Sequence, residues 1–212
     1  MRSTIAGPSG GEARWPAGRA RIGAGPELAL LVALFWAAVA DTGVSAAPPP
    51  KPGPESRPVP TLRVTSPAFR EGAPIPVKHT CDGADVSPAL AWEGVPTGAK
   101  SLALICDDPD APGGTWVHWV LSGLPSSTRR LPEGVRQRAR LPDGSRQGVS
   151  DFDRPGYGGP CPPPGKPHRY YFKVYALDAA LDLEGTLTKA RLEAAMQGHV
   201  LAVGKLMGTY KR

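Results

Sequence analysis

No stretch of this chain offers the roughly 20 apolar residues that a membrane-spanning helix needs. The longest apolar run, LALLVALFWAAVA at 28–40, has 13. No cysteine lies directly after it, which argues against attachment of a lipid there. Lysine and arginine are scattered rather than interleaved with aromatics, which argues against a nucleic-acid partner despite a net charge of +6. Neither HExxH nor GxSxG occurs within residues 61–212, so the zinc-hydrolase and nucleophile-elbow signatures are both missing from the domain. There is no internal repeat. Cysteines number only three, enough for one intrachain bridge and one leftover thiol.

Glycine and proline, by contrast, are abundant at 26 each. Such a share favours short strands joined by turns over long helices. Their distribution divides the chain. Residues 1–47 read as an export signal peptide: Arg14, Arg19 and Arg21 precede the apolar run, and small residues follow it at Val44, Ser45, Ala46 and Ala47. PPPKPGPESRPVP at 48–60 reads as an extended polyproline tether with nothing to bury. Residues 61–212 form the domain. The expected destination is the periplasm or the exterior, where disulfides persist. Cys81 and Cys161 both lie in turn-rich segments and are expected to pair, leaving Cys106, at the end of the apolar run SLALIC, as a buried thiol.

Within the domain, LRVTSPAF, IPVKHT and ALAWEGVP read as short strands bounded by Pro and Gly. SLALIC is apolar on both faces and is expected at the centre of a sheet. VHWVLSGLP and YYFKVYALD come next as strands, and HVLAVGKLMGTYKR returns to strand-like alternation at the end of the chain. One helix is expected in TKARLEAAMQG, with Thr188 as N-cap and Gly198 as stop. Residues 126–167 lack periodicity and read as a long loop region with a use. The fold class is mainly β: an antiparallel Greek-key β-sandwich with one or a few short helices.

Period-2 geometry places Trp116 and His118 on one strand face, with Val117 and Trp119 on the other, and His168 with Tyr170 opposite Arg169. If those strands neighbour each other, two imidazoles and a phenol converge at one rim. Asp108 and Asp110 of DPDAP belong to the same rim, in a proline-stiffened turn whose X-Pro bonds are candidates for the cis form. Arg169 is expected to pair with one of these acids, and Trp92 and Trp119 to be core. Gly158 and Gly159 leave backbone amides free to approach a ligand. Imidazole, phenol and amide donors in a basic protein suit a small oxyanion, with phosphate the best fit.

CDGADVSPALAW, DDPDAP followed by WVHWV, GYGGPCPPPGKPHRYYFKVYALD and the C-terminal AAMQGHVLA, together spanning about 62–210, resemble the phosphatidylethanolamine-binding protein family. They are most similar to its bacterial branch, labelled Raf kinase inhibitor-like. The resemblance implies a β-sandwich with an anion pocket at one end, lined by Asp108, Asp110, Trp116, His118, the Gly159–Pro160 turn, His168 and Tyr170. It implies ligands that are phosphate groups or phospholipid headgroups. Eukaryotic members regulate kinases, but an exported chain meets no evident cytosolic kinase. Relatives commonly carry Asn where Ser150 precedes Asp151, and the eukaryotic C-terminal helix beside the pocket has no obvious counterpart. The reading is of a non-catalytic binding protein with no cofactor and no metal, taking a small anionic ligand and serving as a regulator of some protein partner. The alternative is a hydrolase using the same His, Asp and Tyr groups.

Overall fold

The structure, a computed structural model, describes residues 60–212. The leader read over 1–47 and the tether up to residue 59 lie outside the described residues. The segment SLALIC organises the domain. Strand β3 (Ser101–Asp108) is buried at all eight positions because both faces are covered. Leu102, Leu104 and Cys106 face the main core, while Ala103 and Ile105 face a second, smaller one. Burying each such large side chain contributes about 1.5–3 kcal/mol, so this one strand ties both cores together.

Around it lie β4 (Trp116–Pro125), β6 (Arg146–Gln147), β7 (His168–Leu177) and β8 (Val200–Tyr210), in the spatial order β6-β4-β3-β7-β8. All pairings are antiparallel. Read as β7-β3-β4-β6, the fourth strand in chain order returns beside the first, which is a Greek key. A smaller antiparallel sheet, β1 (Arg63–Thr65), β2 (Leu90–Glu93) and β5 (Arg130–Leu131), contributes Val64, Leu90, Trp92 and Leu131 to the main core. The opposite face of the large sheet is closed by helix α1 (Lys189–Met196), through Leu192 and Met196. Thr188 caps α1 by accepting from the Arg191 amide, and Gly198 follows with φ +79°.

Two adjacent acids on β3 point to opposite faces. Asp107 is buried toward the helix side, where it receives Lys173 of β7 (2.8 Å) and Lys189 of α1 (2.6 Å). Asp108 points the other way, to the rim where β4 and β7 begin.

Two local expectations change. IPVKHT is not a strand: Val77–His79 is a single 3-10 turn. Pro76 has no N–H to give a ladder, and the amides of His79 and Thr80 fold back onto the carbonyls of Pro76 (2.9 Å) and Val77 (3.0 Å). Every described peptide bond is trans, those before Pro109 and Pro112 included.

Candidate functional site

β3 ends at Asp108, β4 begins at Trp116 and β7 begins at His168, all at one end of the large sheet. The strands bearing the two histidines are not neighbours. β3 lies between them and sets Asp108 opposite Trp116. The convergence is therefore built on three strand ends rather than two.

Strict alternation fails at His118, and the site depends on that failure. Cys106 pairs with Trp119 and Asp107 with Val117, so His118 is the extra residue of a β-bulge. Val117 packs with the helix-side cluster, whereas Trp119 enters the main core against Tyr157. His118 turns to the same side as Trp119, its ring edge-on to Tyr170 at 5.1 Å and to Phe152 at 5.3 Å. Of the expected division, Trp116 with His118 against Val117 holds, and Trp119 alone changes sides. Asp151 holds the bulge open: its carboxylate accepts from the Val117 amide (2.7 Å) and its own amide donates to the Val117 carbonyl (3.0 Å).

The two imidazoles are oriented differently. Nδ1 of His118 lies 2.7 Å from the Gly158 carbonyl, and Nδ1 of His168 lies 2.7 Å from Asp108 Oδ2. A carbonyl and a carboxylate only accept, so each Nδ1 carries a hydrogen. Among the described residues neither Nε2 has a protein partner, and both rings line one cavity of about 280 Å³. Burial lowers the pKa of His118 below the usual imidazole value, against the opposing pull of the Gly158 hydrogen bond and the Asp108 charge. Its Nε2 is accordingly a lone-pair acceptor at neutral pH and becomes a donor only on protonation. Asp108 is fixed in turn, its second oxygen accepting from the Asp110 amide at 2.8 Å.

The remaining walls are apolar. Trp116, 40 % exposed, stands edge-on to Phe152 at 5.6 Å. Pro112 closes one side, and Cys161, Pro162 and Pro163 close another. Cys161 is joined by a disulfide to Cys81, which anchors the wall to the end of the 3-10 turn. Cys106 is a buried free thiol whose pKa burial pushes up.

Four residues expected to line the hollow do not. Asp110 is taken by Arg169 in a two-pronged ion pair, Nε to Oδ2 at 2.8 Å and Nη2 to Oδ1 at 2.6 Å. This pairing holds its carboxyl at about 2, first through the side-chain hydrogen bonds. The Gly159 amide donates to Asp85 (2.6 Å) and the Gly158 amide to the His118 carbonyl (2.9 Å), so neither is free for a ligand. These glycines are required by crowding: a Cβ on Gly158 would sit 2.3 Å from the Phe152 ring, and one on Gly159 2.5 Å from the His79 carbonyl. The Pro160 carbonyl accepts from the Cys81 amide. Tyr170 is buried behind His118, and its hydroxyl has no hydrogen-bond partner among the described residues. Burial, followed by the nearby Asp108 charge, pushes its pKa well up, so it is a neutral phenol.

Phe152 and Pro112 line the hollow although sequence patterning does not pick them out, and Asp85 and Asp151 shape its loops. An aromatic residue isolated in the polar stretch GVSDFDRPGY is the one available signal for Phe152.

The family described as phosphatidylethanolamine-binding protein matches this chain over residues 65–211. A UPF0098 protein of Methanothermobacter thermautotrophicus is 54% identical over 145 residues, 68% of this chain and 95% of that protein. A second, of Aquifex aeolicus, is 48% identical over 71% of this chain and 89% of its own length. The crystal structure of CT736 from Chlamydia trachomatis, described as a phosphatidylethanolamine-binding protein homologue, aligns with TM-score 0.65 at 42% identity. It covers 72% of this chain and 98% of CT736. E. coli YbcL, described as a member of the mammalian family, aligns with TM-score 0.66 at 35% identity over 71% of this chain and 98% of YbcL.

Proposed function

Since this chain belongs to the phosphatidylethanolamine-binding protein family, we propose that it is an exported binding protein whose rim hollow takes one small phosphate-type oxyanion. Family membership supports a binding protein of this kind. The observation that carries the finer reading is the pair of imidazoles with unpartnered Nε2 atoms on one cavity, each locked in place by its Nδ1 hydrogen bond. Preorganised groups of this sort bind without ordering cost.

The apolar wall of Trp116, Phe152 and Pro112 suits a phosphate ester, whose organic part rests there while its oxygens meet the histidines. His118 as an acceptor favours a ligand that brings a proton, such as a phosphomonoester monoanion or an ammonium-bearing headgroup. The hydrolase reading keeps Asp108, His118 and His168 at the lining but loses Asp110, committed to Arg169, and Tyr170, buried behind His118. The disulfide and the leader pattern both support an oxidising, exported setting. A regulatory role follows if occupancy of the hollow alters what a partner protein sees at Trp116.

The test is a titration of inorganic phosphate and of glycerophosphoethanolamine, read on the histidine ring resonances. Both His118 and His168 should shift with a common dissociation constant, and tighter binding of the ester would point to a headgroup. If neither ring responds to either compound at millimolar concentration, the proposal is wrong.

A further inference from the structure

A second recessed surface lies away from the rim hollow and shares no lining residue with it. Residues 126–146 carry six arginines against two carboxylates, Glu133 and Asp143. Glu133 accepts from Lys78, and Asp143, the one carboxylate bordering the groove described below, accepts from the Ser145 amide and hydroxyl. Arg130, Arg136, Arg138 and Arg140 are exposed, and none forms an ion pair among the described residues. Three of them, Arg130, Arg136 and Arg138, border a groove of about 430 Å³. Its floor is apolar, made by Leu131, Val135 and Leu141, whose other sides pack on the main core.

The arginines stand on a fixed backbone. The side-chain amide of buried Gln147 donates to the carbonyls of both Arg136 (2.7 Å) and Arg138 (2.8 Å), while its Oε1 accepts from the Trp119 indole (2.7 Å). Between them Gln137 turns inward and donates to the Tyr157 carbonyl (2.7 Å). The guanidinium groups on either side are thereby left facing outward over the groove.

We propose that this groove seats an extended acidic peptide of a partner protein, one in which apolar and acidic residues alternate. In an extended chain alternate side chains point in opposite directions. Apolar side chains would enter the floor, and the intervening carboxylates would meet the guanidinium forks, which match carboxylates in a two-pronged fashion. Charge complementarity selects an acidic occupant, and the concave apolar floor selects a peptide over a membrane. A membrane surface is held by protruding apolar side chains, and the exposed large ones among the described residues, Val77 and Trp116, do not border the groove. A nucleic acid strand calls for aromatic platforms, and the lining has none.

The probe is a fluorescein-labelled EVDLEVDL peptide followed by anisotropy on the purified protein, with ESDSESDS as a control of equal charge. The alternating peptide should bind at least fivefold more tightly than the control. R130A/R136A/R138A should weaken it at least tenfold, and R130K/R136K/R138K, which keeps the charge without the fork, several-fold. Equal binding of the two peptides, or an unchanged affinity in both triple variants, overturns the proposal. So does preferential binding of phosphatidylglycerol vesicles or a 20-nucleotide single strand. The phosphate response of the histidine rings, measured on the same variants, should persist. It therefore reports folding and separates failure here from failure of the hollow.

Discussion

The His118 ring offers the sharpest quantitative test of the hollow. The perturbation is addition of dimethyl phosphate, a monoanion throughout the range of interest, so that the ligand itself does not titrate. Without ligand, burial holds the His118 pKa below the usual imidazole value of about 6.5. An anion seated in the cavity that this ring lines favours the imidazolium form. At about 4 Å the attraction is about 1 kcal/mol in water and about 4 kcal/mol at an effective dielectric of 20. The hollow is open on one side, which argues for the lower half of that range, about 1–2 kcal/mol. That corresponds to roughly a 5- to 30-fold difference in dissociation constant between the two protonation states. The sign follows from linkage: ligand binding raises this pKa, so binding takes up a proton, and affinity climbs as pH falls through the raised, ligand-bound pKa and levels off below the free one. Above that window the His118 contribution is flat. Ring chemical shifts of His118 followed against pH, with and without saturating dimethyl phosphate, provide the assay. Superimposable titration curves would refute the placement of the anion against this ring.

Three further outcomes are expected. Replacing both Cys81 and Cys161 by Ser opens a loop with sequence separation 80; the chain-entropy relation gives a loss of about 4.5 kcal/mol, readable in urea melts. Cys106, buried with its pKa pushed up, should react with a thiol reagent only as fast as the domain unfolds, and a burst of labelling in native buffer would contradict its burial. Asp107→Ala strands Lys173 and Lys189 beside a buried site and should cost about 3–5 kcal/mol in chemical denaturation, whereas a loss below about 1 kcal/mol would mean that the lysines are already solvated.

Much of this architecture can be read from periodicity. β3 stands out because apolar residues fill both of its faces, β7 because His168, Tyr170 and Phe172 alternate with Arg169, Tyr171 and Lys173, and α1 because Thr188 and Gly198 bracket it. The pairing of Arg169 with an acid of the DPDAP turn is also legible, as are the core positions of Trp92 and Trp119. The features that escape depend on contacts between residues far apart in sequence. A period-2 reading has no place for an extra residue, so the bulge that turns His118 beside Trp119 is invisible to it. The Gly159 amide looks available in the sequence because its acceptor, Asp85, lies 74 residues away. Phe152 sits in a loop shaped by Asp151 bonding back to Val117, and nothing local predicts where that ring goes.

The back-to-back acids of β3 link two parts of the molecule that would otherwise vary separately. A deletion of one residue anywhere upstream in the strand would rotate every following side chain to the reverse face. Asp108 would then stand where Asp107 meets Lys189, Asp107 would enter the main core opposite Phe172, and Pro109 would take the place from which Asp108 orients His168. The lysines would still find an acid, but His168 would lose its acceptor and a carboxylate would be buried unpaired. Helix attachment and the orientation of His168 are thus inherited as one unit, and length changes in this lineage should be confined to the connections outside Ser101–Asp108.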